Sequence, residues 1–386
     1  MLKSNEENFM HILISPNAFK HSISAWEAAK AIKIGFEKSK LGAFCTIFPI
    51  ADGGNGTMEL CVEKLEGVYK KAEVHDPLGR KINSKYGYIP SSKTAVIEMA
   101  EASGIHLLSH QERDPFKAST YGTGELIIDA LNSGAEKVII GVGGSATVDA
   151  GVGMLQALGV EFTDQNNQVI PPGKLELDRI SFFNLSNLDH RIEKLKIIVA
   201  CDVNNPLLGE NGAARVFGPQ KGASNADIEI LEKNLESFNS LIIKNLNKNV
   251  ASLPKGGAAG GISASLHAFF GAELVNGLEY LLNLTNYSSE LTKADLVISA
   301  EGKVDSQTLE GKGPFALAQI AREHKIPVII FAGQVTSDLN LQSFENIEAI
   351  LPICPGPVSL EEALENAESN LTRTAEHIGN ILNLSF

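Results

Sequence analysis

The sequence predicts an α/β protein in which a discontinuous parallel-sheet domain is interrupted by a second, mixed α/β domain. Three observations point there. Short β-branched or apolar runs are each followed by a glycine-rich polar turn and then by helical periodicity, first near the start of the chain and again after about Ala294. Between about His75 and Ala294 that rhythm lapses and alternating segments appear. The 386 residues leave room for two domains with separate cores. The expected boundaries are 10–75 with 285–386 for the discontinuous domain and 76–284 for the inserted one.

In chain order, His11 to Ser15 is an apolar run stopped by Pro16. Helical spacing follows in Ala25, Ala28, Ala29, Ile32 and Phe36, with Ser24 and Glu27 forming a capping box and Trp26 and Phe36 assigned to the core. Phe44 to Ile50 is the next strand, running into Asp52-Gly53-Gly54-Asn55-Gly56-Thr57 and a helix through Leu60. Tyr86, Tyr88 and Thr94 to Glu98 alternate as antiparallel strands do. A helix at about Gly124 to Asn132 leads to the strand from Lys137 and to Gly141-Val142-Gly143-Gly144-Ser145-Ala146-Thr147-Val148-Asp149, the most glycine-dense turn. Leu195 to Ala200 is a strand ending at Cys201-Asp202, followed by Gly218-Pro219-Gln220-Lys221-Gly222, a helix through Leu231, and an apolar helix through Leu266. The closing rhythm has strands at Leu296 to Ile298, Val328 to Phe331 and Ala349 to Ile353, and a final helix from Leu360. Pro314 suits a first helical position, where its missing N–H has no intrahelical partner. Glu301, Lys303, Asp305, Glu310 and Lys312 then fall on a loop at the C-terminal edge of a parallel strand, where open α/β sheets bind ligands.

The bulk numbers exclude several classes. A net charge of −13 argues against a nucleic-acid partner, which needs clustered Lys and Arg in excess. It leaves room for a small anionic substrate in a local basic pocket. Cys45, Cys61, Cys201 and Cys354 show no C-x-x-C spacing, so buried free thiols are expected, not a zinc site or a disulfide framework. Met1 to Asn8 is polar, no apolar run reaches the length of a membrane span, and the first nine residues read as a frayed extension, so a cytoplasmic location is expected.

The turns carry the chemistry. Glycine-rich turns after strands expose backbone N–H groups that cradle phosphate. No G-x-x-x-x-G-K-[ST] occurs. Gly141 to Ala146 does fit the loose dinucleotide pattern G-x-G-x-x-A, with Glu161 twenty residues on, which keeps a nicotinamide or flavin oxidoreductase as an alternative. Asp52, Asp149, Asp202 and Asp305 each follow an apolar strand, where a carboxylate can hold Mg²⁺ or accept a hydroxyl proton. Each also reads as an Asx-turn or helix cap. Four recurrences beside Lys20, Lys221, Lys303 and Lys312 favour phosphoryl transfer, in which positioning and charge neutralisation supply most of the catalysis. His106, His110 and His267 lack metal-ligand spacing, and Ser145 lacks that of a nucleophile elbow. Ser145 is instead a donor to an anion.

Taken together, Ser15-Pro16 through Phe19-Lys20 to Ser24-Ala25, Ala51-Asp52-Gly53-Gly54, Gly143 to Thr147, Cys201-Asp202-Val203, Phe217 to Gly222, Glu301-Gly302, Asp305 to Thr308 and Gly311-Lys312 resemble the bacterial type I glycerate kinases. The resemblance implies ATP-dependent phosphorylation of D-glycerate, generally at the 2-hydroxyl, by a Rossmann-like domain interrupted by a second α/β domain, with the active site between them. On that basis Lys20 is assigned to the substrate carboxylate or the transferring phosphoryl group, and Asp202 or Asp52 to activating the hydroxyl. Asp305 and Asp149 are assigned to Mg²⁺. Gly143, Gly144, Ser145, Thr147, Lys221 and Lys312 are expected to bind the nucleotide phosphates, and Ser22, Gly53, Gly54, Glu301 and Gln307 the substrate. The expected cofactors are ATP and Mg²⁺, the expected partners a small hydroxy acid and ATP without nucleic acid or membrane, and the assembly a monomer or homodimer. The chain departs from the family pattern at Asn17, Ala18 and His21, where Asp, Ser and Gly are expected, at Asn55 for Glu, at Val148 and Ala150 for Asn and Gly, and at Lys303 for Arg. These departures keep open a non-catalytic member that binds ATP or a small acid as a regulator.

Overall fold

The computed structural model describes residues 10–173, 177–305, 313–336 and 345–384. The frayed start expected for the first nine residues therefore lies outside the described residues. In chain order the strands are β1 (His11–Ile14), β2 (Phe44–Ile47), β3 (Val68–His75), β4 (Lys81–Ile89), β5 (Thr94–Glu98), β6 (Lys137–Gly141), β7 (Glu161–Thr163), β8 (Phe182–Asn184), β9 (Lys196–Cys201), β10 (Glu273–Asn276), β11 (Leu296–Val304), β12 (Val328–Val335) and β13 (Ile347–Pro352). The chain divides into two compact units, one made of Met1–Ala51 and Leu281–Phe386, the other of Asp52–Tyr280.

The first unit holds an all-parallel sheet in the order β13-β12-β11-β1-β2. Its central strands are buried along their apolar runs, as a sheet covered on both faces requires. The helix Ala25–Lys38 begins with the capping box: Ser24 Oγ accepts from Glu27 N, and Glu27 Oε2 accepts in turn from Ser24 N. Ala28, Ala29, Ile32 and Phe36 face the core, while Trp26 is only half-buried. The same helix lies against Ala367–Leu382, where Thr372 Oγ1 donates to Ala31 O at 3.0 Å. The helix Pro314–Glu323 begins on Pro314, and Phe315, Leu317 and Ala318 are buried.

Asp52–Tyr280 holds a mixed sheet in the order β10-β9-β6-β5-β4-β3, parallel from β10 to β5 and antiparallel from β5 to β3, and a small β7-β8 hairpin. Two expectations are corrected here. Residues 52–75, expected in the discontinuous domain, belong to this unit, because β3 pairs along its length with β4, from Val68↔Tyr88 to His75↔Lys81. Thr94–Glu98 does not alternate: all five residues are buried, with β4 antiparallel on one side and β6 parallel on the other. In the first unit, likewise, the charged stretch after Ile298 is not a loop at once. β11 runs on to Val304, with Glu301 opposite Ala332 and Lys303 opposite Gln334, because β12 extends equally far and Val304 is fully buried. Among the described residues no helix is long and apolar enough to cross a membrane. All four cysteines are free, Cys61 and Cys201 buried, Cys45 and Cys354 partly so.

Candidate functional site

Parallel strands β5, β6, β9 and β10 deliver their C-terminal ends to one edge of the mixed sheet. The Asp52-Gly53-Gly54 turn lies directly on that edge by backbone contact. Gly143 N donates to Gly53 O at 3.0 Å. A Cβ on Gly53, whose φ is +94°, would stand 2.3 Å from Ala200 O, and one on Gly143 would stand 2.6 Å from Gly54 Cα. Any side chain at these positions would prise the turns apart. The structure thus gathers Gly53, Gly54, Gly143 and Gly144 beside the strand end that leads into Asp202. Asp52 Oδ1 also accepts from Gly54 N at 3.2 Å, the Asx-turn that its position allowed.

Within the Gly143–Thr147 turn the backbone groups are unequally spent. Gly143 N is taken by Gly53 O and Ala146 N by Ser103 O, at 2.9 Å. The N–H groups of Gly144 and Ser145 meet no acceptor among the described residues, and Gly144 is exposed with a φ of +74°. Two consecutive amides left unspent beside a left-handed residue are donors of the kind that oxyanion sites use.

Three side chains assigned to this turn from sequence do other work. Lys221 is buried, and its Nζ donates to Ser145 Oγ at 2.8 Å and to Thr147 O at 2.7 Å. Burial pushes its ammonium down to about 7, with Asp149 pulling the other way. It holds the turn from behind and does not present its charge to a phosphate. Thr147 Oγ1 is buried without a partner, so that hydroxyl does not face a ligand in solvent either. Asp149, expected to bind Mg²⁺, is wholly buried. Its carboxylate accepts from Thr120 N (2.8 Å), Thr120 Oγ1 (2.7 Å), Gly151 N (3.0 Å) and Gly153 N (3.3 Å). A hydrated cation has no access to it, so Asp149, contrary to expectation, is not placed to hold Mg²⁺. Desolvation raises its pKa against the pull of those four donors.

A carboxyl group missed from sequence closes the same edge. Glu98 ends β5, is buried, and accepts from Met58 N at 2.8 Å at the start of the helix Thr57–Lys64. Burial raises it to about 7, against the Met58 hydrogen bond. With Asn55, Glu59, Tyr69, Lys85 and His106 it lines a cavity of about 300 Å³. An acid at the end of an apolar strand marks Glu98 as it marks the four aspartates, but an alternating pattern over Thr94 to Glu98 gives no such signal.

In the parallel-sheet unit a second cluster forms at the ends of β1 and β11. Asn17 N donates to Ala300 O at 2.7 Å, and a Cβ on Gly302 would lie 3.6 Å from Phe19 Cα and 3.7 Å from Lys20 N. A Cβ on Gly313 would meet Asn17 Nδ2 at 3.4 Å and Glu301 Oε2 at 3.5 Å. Glu301, Asn17 and the Lys20 backbone are therefore neighbours, with Lys20 itself exposed. Asp305 Oδ2 pairs with Lys303 Nζ at 2.9 Å. Ser22, expected to bind substrate, donates its hydroxyl to Leu364 O at 2.5 Å, leaving it only an acceptor role. Gln307 and Lys312 lie outside the described residues. Among the described residues no group of three His, Cys, Asp or Glu side chains is placed to hold a metal ion.

Comparison with known proteins gives this geometry its context. A family profile described as the glycerate kinase family matches residues 12–383. The chain is 44% identical to the glycerate kinase of Halalkalibacterium halodurans, covering 95% of this chain and 97% of that protein. It is 43% identical to the glycerate 2-kinase of Escherichia coli K12, covering 96% and 97%. A crystal structure from Salmonella typhimurium LT2, of a protein assigned as glycerate kinase 2, has a TM-score of 0.82 and 43% identity, covering 97% of this chain and 98% of that one. Matches of this extent make the chain a kinase and a member of the glycerate kinase family.

Proposed function

We propose that the protein transfers the γ-phosphoryl group of ATP to the 2-hydroxyl of D-glycerate, giving 2-phosphoglycerate. The observation that carries the nucleotide half of this reading is the pair of unspent amides at Gly144 and Ser145, backed by the buried Lys221 clamp. Fixed N–H donors of this kind stabilise phosphate charge without reorganising during transfer. The glycerate half rests on the relatives, among them the Escherichia coli glycerate 2-kinase.

Lys20, exposed in the turn that follows β1, is assigned to the substrate carboxylate or the transferring phosphoryl group, and Glu301 and Gln307 to the substrate. Gly53 and Gly54 shape the floor beside the phosphate turn. Asp52 or Asp202 is the base that takes the hydroxyl proton. Mg²⁺ would enter on the phosphate oxygens of the nucleotide, for which one or two protein carboxylates suffice. Asp305, half-buried beside Lys303, is the carboxylate kept for that task.

Product identification tests the position of transfer. Incubation with ATP and D-glycerate should yield 2-phosphoglycerate by phosphorus NMR. Accumulation of 3-phosphoglycerate would overturn the regiochemistry while leaving the kinase reading intact.

A further inference from the structure

A cavity of about 470 Å³ in the mixed-sheet unit has walls that include Glu112, Arg113, Asp114, Lys117, Gly222 and Asp227. Each carboxylate there is already committed. Glu112 accepts from Arg80 Nη1 at 2.7 Å and from Ser109 N at 2.9 Å. Asp114 pairs with Lys117 at 2.9 Å and accepts from Phe116 N at 2.9 Å. Asp227 accepts from Ser224 N at 2.9 Å and Ser224 Oγ at 2.6 Å, as a helix cap does.

Arg113 is the exception. Its guanidinium makes no hydrogen bond or ion pair with any described residue, and its Nε is buried without an acceptor. A buried donor left unpaired costs free energy, which an acceptor supplied by a bound anion would recover, and unlike the enclosed Thr147 hydroxyl this one belongs to a side chain that lines a cavity. The backbone that carries it is fixed. Lys117 N and Ala118 N both donate to Asp114 O, at 3.0 and 3.1 Å. Gly222, with φ +100°, lies so close that a Cβ there would stand 2.3 Å from Arg113 O. Gly222 directly follows Lys221, which clamps the Ser145 turn, so one short segment borders both this cavity and the back of the proposed phosphate site.

We propose that Arg113 binds the carboxylate or phosphate group of a small anion in this cavity. The planar fork of a guanidinium matches either oxyanion with two parallel hydrogen bonds, and the neighbouring carboxylates, already paired, do not compete for it. The anion has three sources of this one chemistry: the acid substrate, the nucleotide phosphates, or a separate regulatory anion. This assignment does not rest on the glycerate reading, because binding is measured without turnover.

The test is calorimetric titration of wild type, Arg113→Lys and Arg113→Met with D-glycerate, ATP, inorganic phosphate and 3-phosphoglycerate, each separately. Arg113→Met should weaken at least one of them tenfold or more, Arg113→Lys should recover part of that loss, and the remaining ligands should bind as before. Selective loss of D-glycerate assigns the substrate carboxylate, and selective loss of ATP assigns the nucleotide. Selective loss of phosphate or phosphoglycerate assigns a regulatory anion. If all four bind Arg113→Met within twofold of wild type, or none binds wild type, the proposal fails. Should Arg113→Met not fold, Arg113→Gln and Arg113→Lys carry the same comparison. A protein that binds an anion through Arg113 yet releases no ADP from ATP and glycerate would sink the catalytic reading and leave this one standing.

Discussion

Lys221 Nζ lies 2.8 Å from Ser145 Oγ, inside the protein, so a lysine that looks in sequence like a phosphate ligand is a brace for the turn that carries the amides. Lys221→Met removes both bonds of the brace. We expect it to raise the KM for ATP roughly tenfold, the scale on which a slightly misplaced donor costs catalysis. Its titration gives an independent readout. Because burial depresses the ammonium to about 7, the folded protein holds fewer protons than the unfolded chain from there up to about 10.5. Wild-type stability should therefore rise with pH across that window, and the rise should be missing in Lys221→Met. An unchanged ATP KM together with an unchanged pH slope would remove the brace from the account.

Asp149 is a structural acid. Asp149→Asn turns a donor group toward the N–H groups that the carboxylate satisfies. Breaking such a buried network is expected to cost about 3 kcal/mol in denaturant unfolding. The Mg²⁺ dependence of turnover should keep its midpoint. A marked shift of that midpoint would restore Asp149 as a ligand.

Glu98 supplies a pH signature of opposite slope. Its folded-state pKa of about 7 lies above the ordinary 4.5, so the folded protein retains a proton that the unfolded chain has lost. The stability this gives is complete below about pH 4.5 and is lost as the pH rises through about 7. The shift corresponds to on the order of 3 kcal/mol between those limits. Glu98→Gln should flatten the stability curve over that range. Parallel curves for wild type and variant would show that the carboxyl is ionised throughout.

His21 stands where the family pattern led us to expect glycine, and its φ is +65°. A non-glycine residue in that region costs about 1 kcal/mol, and a β-branched one costs more. His21→Gly should leave the melting temperature unchanged or higher, and His21→Val should lower it. Equal tolerance of glycine and valine would mean that the turn adopts another conformation in solution.

Local chemistry was legible in the sequence wherever local contacts decide it. The Ser24–Glu27 capping box, Pro314 at a helix start and the glycines that let the Asp52 and Gly143 turns meet all declare themselves within a few residues. Burial of polar groups did not. The partners of Asp149 and Lys221 include Thr120 and Ser145, 29 and 76 positions away, and nothing in the local pattern separates such a buried acid or lysine from an exposed one. β3 escaped for a related reason: Lys70, Lys71 and Glu73 leave it largely solvent-facing, and pairing with β4, not an apolar face, makes it a strand. That omission moved the expected domain boundary to 75, although the division falls between Ala51 and Asp52.

Phosphoryl transfer to D-glycerate is measured by ADP release from ATP and Mg²⁺ over a panel of small hydroxy acids. Stoichiometric ADP release is expected, with D-glycerate preferred over its L-isomer, lactate and tartronate, and with a severe loss of turnover in Asp305→Asn and Lys20→Met. ATP binding without ADP release on any member of the panel would contradict it, and would mark the chain as a regulatory, non-catalytic member of its family.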